Sequence, residues 1–350
     1  MHDVKYGLNN PDWYYSFIYF FSNVLPRIGV PLFFIISGFL FFYRKNFDWM
    51  VYKQKLQTRV RTLLLPFFLW NIIAILIVVF TKLLFLLSVF PGADRTYILL
   101  SPERLFYTFF ANYKNEGIFV ESIVEETITK ASHVPYPIDA PMWYVRDLIV
   151  MVILAPILYW LIKKTGIWFI TILGIMWLFM SLLPIIEEGY LSLLIPAAFF
   201  FSCGAYFSIN RMNFIDKIRK IKYIPLLYIF LAITDVFTKQ TDWNIYIHKI
   251  GILAGIASAI IITSYLIEKN IVKVNSTLAN CSFFVFALHV LIINYIGKIV
   301  LSIFHLPDNT YSMLFLYFVV PTITIALCVL IYIFLRKYFP NVCNLLTGGR

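Results

Sequence analysis

The 350-residue chain is 61% hydrophobic and 13% charged, about half the roughly 25% charged share of globular domains. Its formal net charge is +11 and its mean hydropathy +0.82. A soluble domain is thereby excluded, and long apolar runs indicate helices crossing a bilayer rather than barrel strands of about ten alternating residues.

In chain order, a polar opening, MHDVKYGLNN, leads to apolar segments at 27–43 and 62–88, and then to a hydrophilic insert at about 89–141. That insert carries Asp94, Glu103, Glu116, Glu121, Glu125, Glu126 and Asp139, and its stretch 102–111 is amphipathic. Further apolar segments follow at 142–162, 166–186, 191–209, 223–238, 246–267, 280–303 and 311–335. The fold class is all-α: a polytopic integral membrane helical bundle with nine spans in one domain over 1–350.

Lys and Arg alternate between loops. Arg44, Lys45, Lys53, Lys55, Arg59 and Arg61 follow the first segment. Lys163 and Lys164, then Arg211 to Lys222, Lys269 and Lys273, and finally Arg336 and Lys337 continue the series. The loops between, such as Glu187-Glu188-Gly189, are almost free of basic residues. The positive-inside rule makes the basic loops and the C-terminus cytoplasmic, which explains the net charge without nucleic acid. With 44–61 inside, residues 1–26 fall outside. The economical expectation is a further span upstream, with Met1 an internal residue near its outer end; a nine-span protein with a short translocated tail is the alternative.

Ionisable groups within spans are costly and are commonly functional. Arg27 stands at the entrance of RIGVPLFFIISGFLFF, and Arg146 and Asp147 lie just inside PMWYVRDLIVMVILAP. Asp235, His248, Lys249 and Lys298 sit near span ends, and His289 near the middle of SFFVFALHVLIINY. Asn71 and Asn294 add neutral polar groups. Most fall in the outer half, the pattern of a polar cavity. Snorkelling to headgroups is the competing explanation for Arg27, His248, Lys249 and Lys298. Neighbours on a helix do not face one another, so Arg146 and Asp147 are expected to have separate partners. His133 and His305 fall in loops as solvated groups, and Ser37-Gly38-Phe39 supplies small residues for close helix approach. The scattered Cys203, Cys281, Cys328 and Cys343 have no metal-ligand spacing, so no metal site is expected.

Four stretches, VPLFFIISGFLFF (30–42), YKQKLQTRVRTLLLPFFLWN (52–71), PMWYVRDLIV (141–150) and SFFVFALHVLII (282–293), resemble in order and spacing the membrane acyltransferase-3 family, and within it the surface-polysaccharide O-acyltransferases. The resemblance implies a ten-helix bundle in a bacterial plasma membrane. It also implies a catalytic His at the outer end of the first span, some ten residues after an Arg. His2 falls at that position; the Arg has no counterpart in the chain. The expected activity is transfer of an acyl group, by default acetyl, from acyl-CoA to a hydroxyl of a cell-surface glycan or lipid-linked saccharide, with no bound cofactor. His2 is the expected base and His289 the reserve. Arg146 and Asp147 would stabilise charge or orient a reacting group. Arg59 and Arg61 would hold the CoA phosphates, and Arg27, Trp143 and Tyr144 the acceptor. A transporter or flippase of lipid-linked saccharides is the rival reading; it would show repeated halves, which this sequence lacks.

Overall fold

The computed structural model describes residues 10–43, 47–86, 97–98, 100–110, 119–120, 136–182, 191–307 and 309–349. His2, Arg44, Lys45, His133, Glu187 and Glu188 lie outside them, as does most of the 89–141 insert.

The described helices are α1 (Asp12–Tyr19), α2 (Gly29–Phe42), α3 (Trp49–Arg59), α4 (Leu65–Leu86), α5 (Pro102–Phe110), α6 (Trp143–Thr165) and α7 (Ile167–Leu178). They continue with α8 (Leu191–Ile209), α9 (Phe214–Arg219), α10 (Ile224–Thr238), α11 (Asn244–Glu268), α12 (Ser276–Phe304), α13 (Thr310–Tyr338) and α14 (Pro340–Thr347). A two-residue antiparallel pair, Tyr97–Ile98 with Phe119–Val120, is the one sheet among the described residues. The described residues of the nine apolar segments read from the sequence are mostly helical. Among the described residues, six helical stretches are long and apolar enough to cross a membrane: Asp12–Phe42, Trp49–Leu83, Ala140–Thr165, Asn244–Glu268, Ser276–Phe304 and Thr310–Tyr338. The other three, Ile167–Leu178, Leu194–Ile209 and Ile224–Thr238, are apolar helices of 10–17 residues. Leu226, Phe230, Phe237, Ile303 and Leu330 project outward from the bundle. A soluble monomer rarely exposes contiguous apolar surface beyond a few hundred Å²; a lipid belt accounts for it. The chain is a multi-pass membrane protein.

The first helical stretch corrects the sequence reading, which began it at residue 27. Helix starts at Asp12 and is broken midway by a π turn, Phe20–Val24, and a 3-10 turn, Pro26–Ile28. Pro26 has no N–H to continue the ladder. Ser22, Asn23 and Arg27 also interrupt the apolar run, which is why hydropathy misplaces its start. Ser22 Oγ is instead hydrogen-bonded to Tyr317 OH at 2.6 Å. A second π turn, Val60–Leu64, joins α3 to α4 beside Arg59 and Arg61.

The tightest crossing is α2 on α8. A Cβ on Gly38 would collide with the carbonyl oxygen of Phe201, and one on Gly204 with that of Ile35. The small residues at 37–39 therefore do what was expected of them. One end of the bundle is tied by Arg219 Nη2 to Glu268 Oε1 at 2.6 Å, by Tyr52 OH to the Ile153 carbonyl, and by Trp70 Nε1 to the Leu346 carbonyl of α14. At the other end, α1 meets the starts of α11 and α13 and the end of α10: Thr310 Oγ1 donates to Asn10 and Lys239 Nζ to Ser16.

Candidate functional site

At this second end the broken helix leaves a cavity of about 1600 Å³ between α1, α2, α8, α12 and α13. Arg27, Trp143, Asn294 and Lys298 line it together with Tyr14, Tyr15 and Tyr317. Two of the three expected acceptor residues, Arg27 and Trp143, thus come together here. The third, Tyr144, does not line it. Its hydroxyl is 3.3 Å from Ser37 Oγ, and its ring packs among Phe33, Phe34 and Phe286. His289 follows one step on, with its ring 6.3 Å from Phe286. The His289 Nδ1–H donates 3.0 Å to the Val285 carbonyl, leaving Nε2 as the ring's acceptor.

Arg146 and Asp147 are buried and line neither this cavity nor the smaller one below. The expectation of separate partners is corrected: Arg146 Nε donates directly to Asp147 Oδ1 at 2.8 Å. The long guanidinium arm bends back along its own helix, which Cβ spacing alone does not reveal. Arg146 also donates to the carbonyl of Phe110, pinning the end of α5 onto α6. Asn71, fully buried, donates to the Phe67 carbonyl and accepts from the backbone N–H of Asp139 at 3.2 Å. Asp139 leads into the 3-10 turn Ala140–Met142 before α6. Both its carboxylate oxygens are buried without a hydrogen bond among the described residues. Burial pushes its carboxyl up to about 8.

Arg59 and Arg61 separate. Arg59 is half-buried with Tyr144 nearby, whereas Arg61 is exposed. Lys55 turns inward to the Phe41 carbonyl. The inward-facing Arg59, with Tyr144 and Ser37 beyond it, sets polar groups along the bundle interior.

A second cluster was missed from the sequence. Asp235 on α10 and His248 on α11 are paired, Nδ1 to Oδ2, at 2.7 Å. Asp235 Oδ1 accepts from Tyr19 OH at 3.0 Å and from Asn244 Nδ2 at 2.9 Å. With Oδ1 taken by these two donors, Oδ2 is the carboxyl oxygen that meets the imidazole at Nδ1. His248 Nε2 has no partner among the described residues, and it belongs to a separate cavity of about 270 Å³. His248 therefore does not snorkel. Lys249 does not either: its Nζ donates to the carbonyls of Trp177 and Leu178 at 2.8 and 3.0 Å, capping the C-terminus of α7, where the helix dipole favours a cation. Among the described residues no group of three His, Cys, Asp or Glu side chains is placed to hold a metal.

The profile of the acyltransferase domain of the acyltransferase-3 family matches residues 3–333. The chain is 27% identical over 349 residues to the succinoglycan biosynthesis protein ExoH of Rhizobium meliloti (strain 1021), covering 97% of this chain and 83% of that protein. No solved structure matches it.

Proposed function

Because the chain belongs to the acyltransferase-3 family, we propose that it is a membrane O-acyltransferase moving an acyl group, acetyl in the simplest case, from acyl-CoA to a hydroxyl of a cell-surface or exopolysaccharide sugar. The observation that carries this reading is the 1600 Å³ cavity, in which Arg27, Asn294 and Lys298 meet the flat faces of Trp143 and the tyrosines. It combines hydrogen-bonding groups with the aromatic surface a saccharide packs on. The name of the Rhizobium meliloti relative supports a polysaccharide acceptor and a bacterial setting. The alternating basic loops support nine crossings of the plasma membrane with a cytoplasmic C-terminus.

In the proposed reaction a base takes the proton of the sugar hydroxyl. The oxygen attacks the thioester carbonyl, the C–S bond breaks, and the CoA thiolate leaves and is protonated. His2 is the base by family resemblance, and His289, through Nε2, is the reserve. Hydrogen-bond donors aimed at the developing oxyanion lower the barrier most in a dry site. Arg59 and Arg61 hold CoA phosphates at the basic end; the half-buried arm of Arg59 also turns toward the bundle interior. Arg27 and Trp143 position the acceptor, with Tyr144 behind them. Arg146 and Asp147 act at one remove, by fixing α5 on α6.

The test is to reconstitute the full chain in vesicles and supply labelled acetyl-CoA with polysaccharide. Label should become covalently attached to the glycan, and Arg59→Gln should raise the KM for acetyl-CoA at least tenfold. Glycan crossing the vesicle membrane without covalent label would replace this reading with the transporter.

A further inference from the structure

The 270 Å³ cavity is distinct from the large one but shares a wall with it, since Asn23 and Arg27 line both. Its other walls include Tyr19, Asp242, Asn244 and His248. We propose that this cavity is a subsite for a single neutral sugar unit of the acceptor, held by His248 Nε2 and the Arg27 guanidinium. The inference rests on the acyltransferase reading for its choice of ligand, but its geometry stands apart from the catalytic residues proposed there.

Three observations carry it. First, the imidazole is fixed before any ligand arrives. Asp235 holds Nδ1, while Tyr19 and Asn244 hold Asp235, and Asn244 Nδ2 is itself anchored again to the Asp235 carbonyl and to Thr238 Oγ1. A residue serving only to pack would not need its rotamer set by four other groups, and such preorganisation lowers the entropy lost on binding. Second, Nε2 stands across the ring from the bonded Nδ1 and has no partner among the described residues, so it is the atom left to hydrogen-bond a sugar hydroxyl. Arg27 likewise makes no hydrogen bond or ion pair among them, and supplies the complementary donors. Third, charge and size select the ligand. Arg27 and Asp242 stand on the same walls with opposite signs, so the cavity offers an anionic sugar no net attraction. At about 270 Å³ it falls just under the roughly 300 Å³ at which drug-sized pockets begin, room for one ring rather than a chain. The rest of the glycan then continues past Asn23 and Arg27 into the aromatic cavity.

The test measures sugar binding directly, without relying on turnover. The full chain in nanodiscs is titrated with methyl β-D-glucopyranoside, methyl β-D-galactopyranoside and glucuronate, and saturation transfer from protein to ligand is read by NMR. At least one neutral glycoside should give transfer, and more strongly than glucuronate. His248→Leu should weaken its binding at least tenfold, and His248→Gln, which keeps a hydrogen-bonding end group, by less. Should His248→Leu not fold, Asn23→Leu, which puts a bulkier apolar side chain into the wall of the same cavity, should abolish the transfer. Wild-type protein that binds none of the neutral glycosides, or a folded His248→Leu or Asn23→Leu that binds as wild type does, would overturn the subsite. Acetyl transfer from acetyl-CoA is assayed on the same samples. Its absence alongside intact, His248-dependent sugar binding would refute the enzymatic reading and leave the subsite standing.

Discussion

Arg146–Asp147 and Asp235–His248 each set a carboxylate against a base inside an apolar bundle, but they distribute their hydrogen bonds differently. Asp147 uses Oδ1 alone, on its sequence neighbour, and Oδ2 is buried without a hydrogen bond among the described residues. Asp235 uses both oxygens, on three residues from two other helical segments, and the base it holds keeps one nitrogen free beside a cavity. The first pair looks inward and braces the insert through Phe110. The second is completed on its protein side and left open on its ligand side. In a low-dielectric interior an incompletely paired charge is expensive. The first pair should therefore reveal itself in stability and the second in binding.

Removing Asp147 is the sharpest way to break that contrast. Asp147→Ala leaves the Arg146 charge buried without its carboxylate, and losing one partner of a buried pair costs about 3–5 kcal/mol. Thermal melting in detergent should fall steeply. A double change, Arg146→Met with Asp147→Leu, should recover most of the loss, since replacing both ions by apolar groups is commonly neutral or better. An unaltered melt for Asp147→Ala would mean that the pair is not a brace.

Asp139 offers the next largest effect. Its carboxyl sits at about 8 against an ordinary 3.8, so the folded chain holds that proton more tightly than the unfolded chain does. Stability from this group is complete below about pH 4 and is lost as pH rises through about 8, by up to roughly 1.4 kcal/mol per pH unit. Between pH 5 and 8 the melting temperature of Asp139→Asn should fall less than that of the wild type. Parallel curves for the two proteins would remove Asp139 as the cause.

Helix positions were legible because bilayer thickness imposes length and hydropathy on each segment, and the small residues at 37–39 announced the close crossing that Gly38 makes. Asn71 and the row of outer polar groups were visible as polar atoms in apolar runs, and Arg27, Asn294 and Lys298 do share one cavity. What could not be read was which groups meet. His248 and Lys249 are neighbours in sequence with the same terminal position, yet one joins a carboxylate on α10 and the other caps α7. Their directions, about 100° apart around the helix, matter only once the neighbouring helices are placed. The Arg146–Asp147 pairing was missed for a different reason: the spacing rule follows Cβ positions, and a guanidinium arm reaches beyond them.

The smallest expected effect tests how much of the second cluster is preorganisation. Tyr19→Phe deletes one donor to Asp235 Oδ1 but leaves Asn244 Nδ2 on that oxygen and His248 on the other. A single net hydrogen bond is worth about 0.5–1.5 kcal/mol, so melting should shift only slightly. Because Tyr19 also forms part of the small cavity's wall, removing its hydroxyl frees the carboxylate to tilt and relaxes the imidazole it orients. Glycoside binding in nanodiscs should therefore weaken several-fold, less than for His248→Leu, and Ser22→Ala, whose hydroxyl meets Tyr317 and not Asp235, should weaken it less again. If Tyr19→Phe lowered the melting temperature as far as Asp147→Ala while binding stayed at the wild-type level, the two clusters would have exchanged roles, and the contrast between brace and binding site would fail.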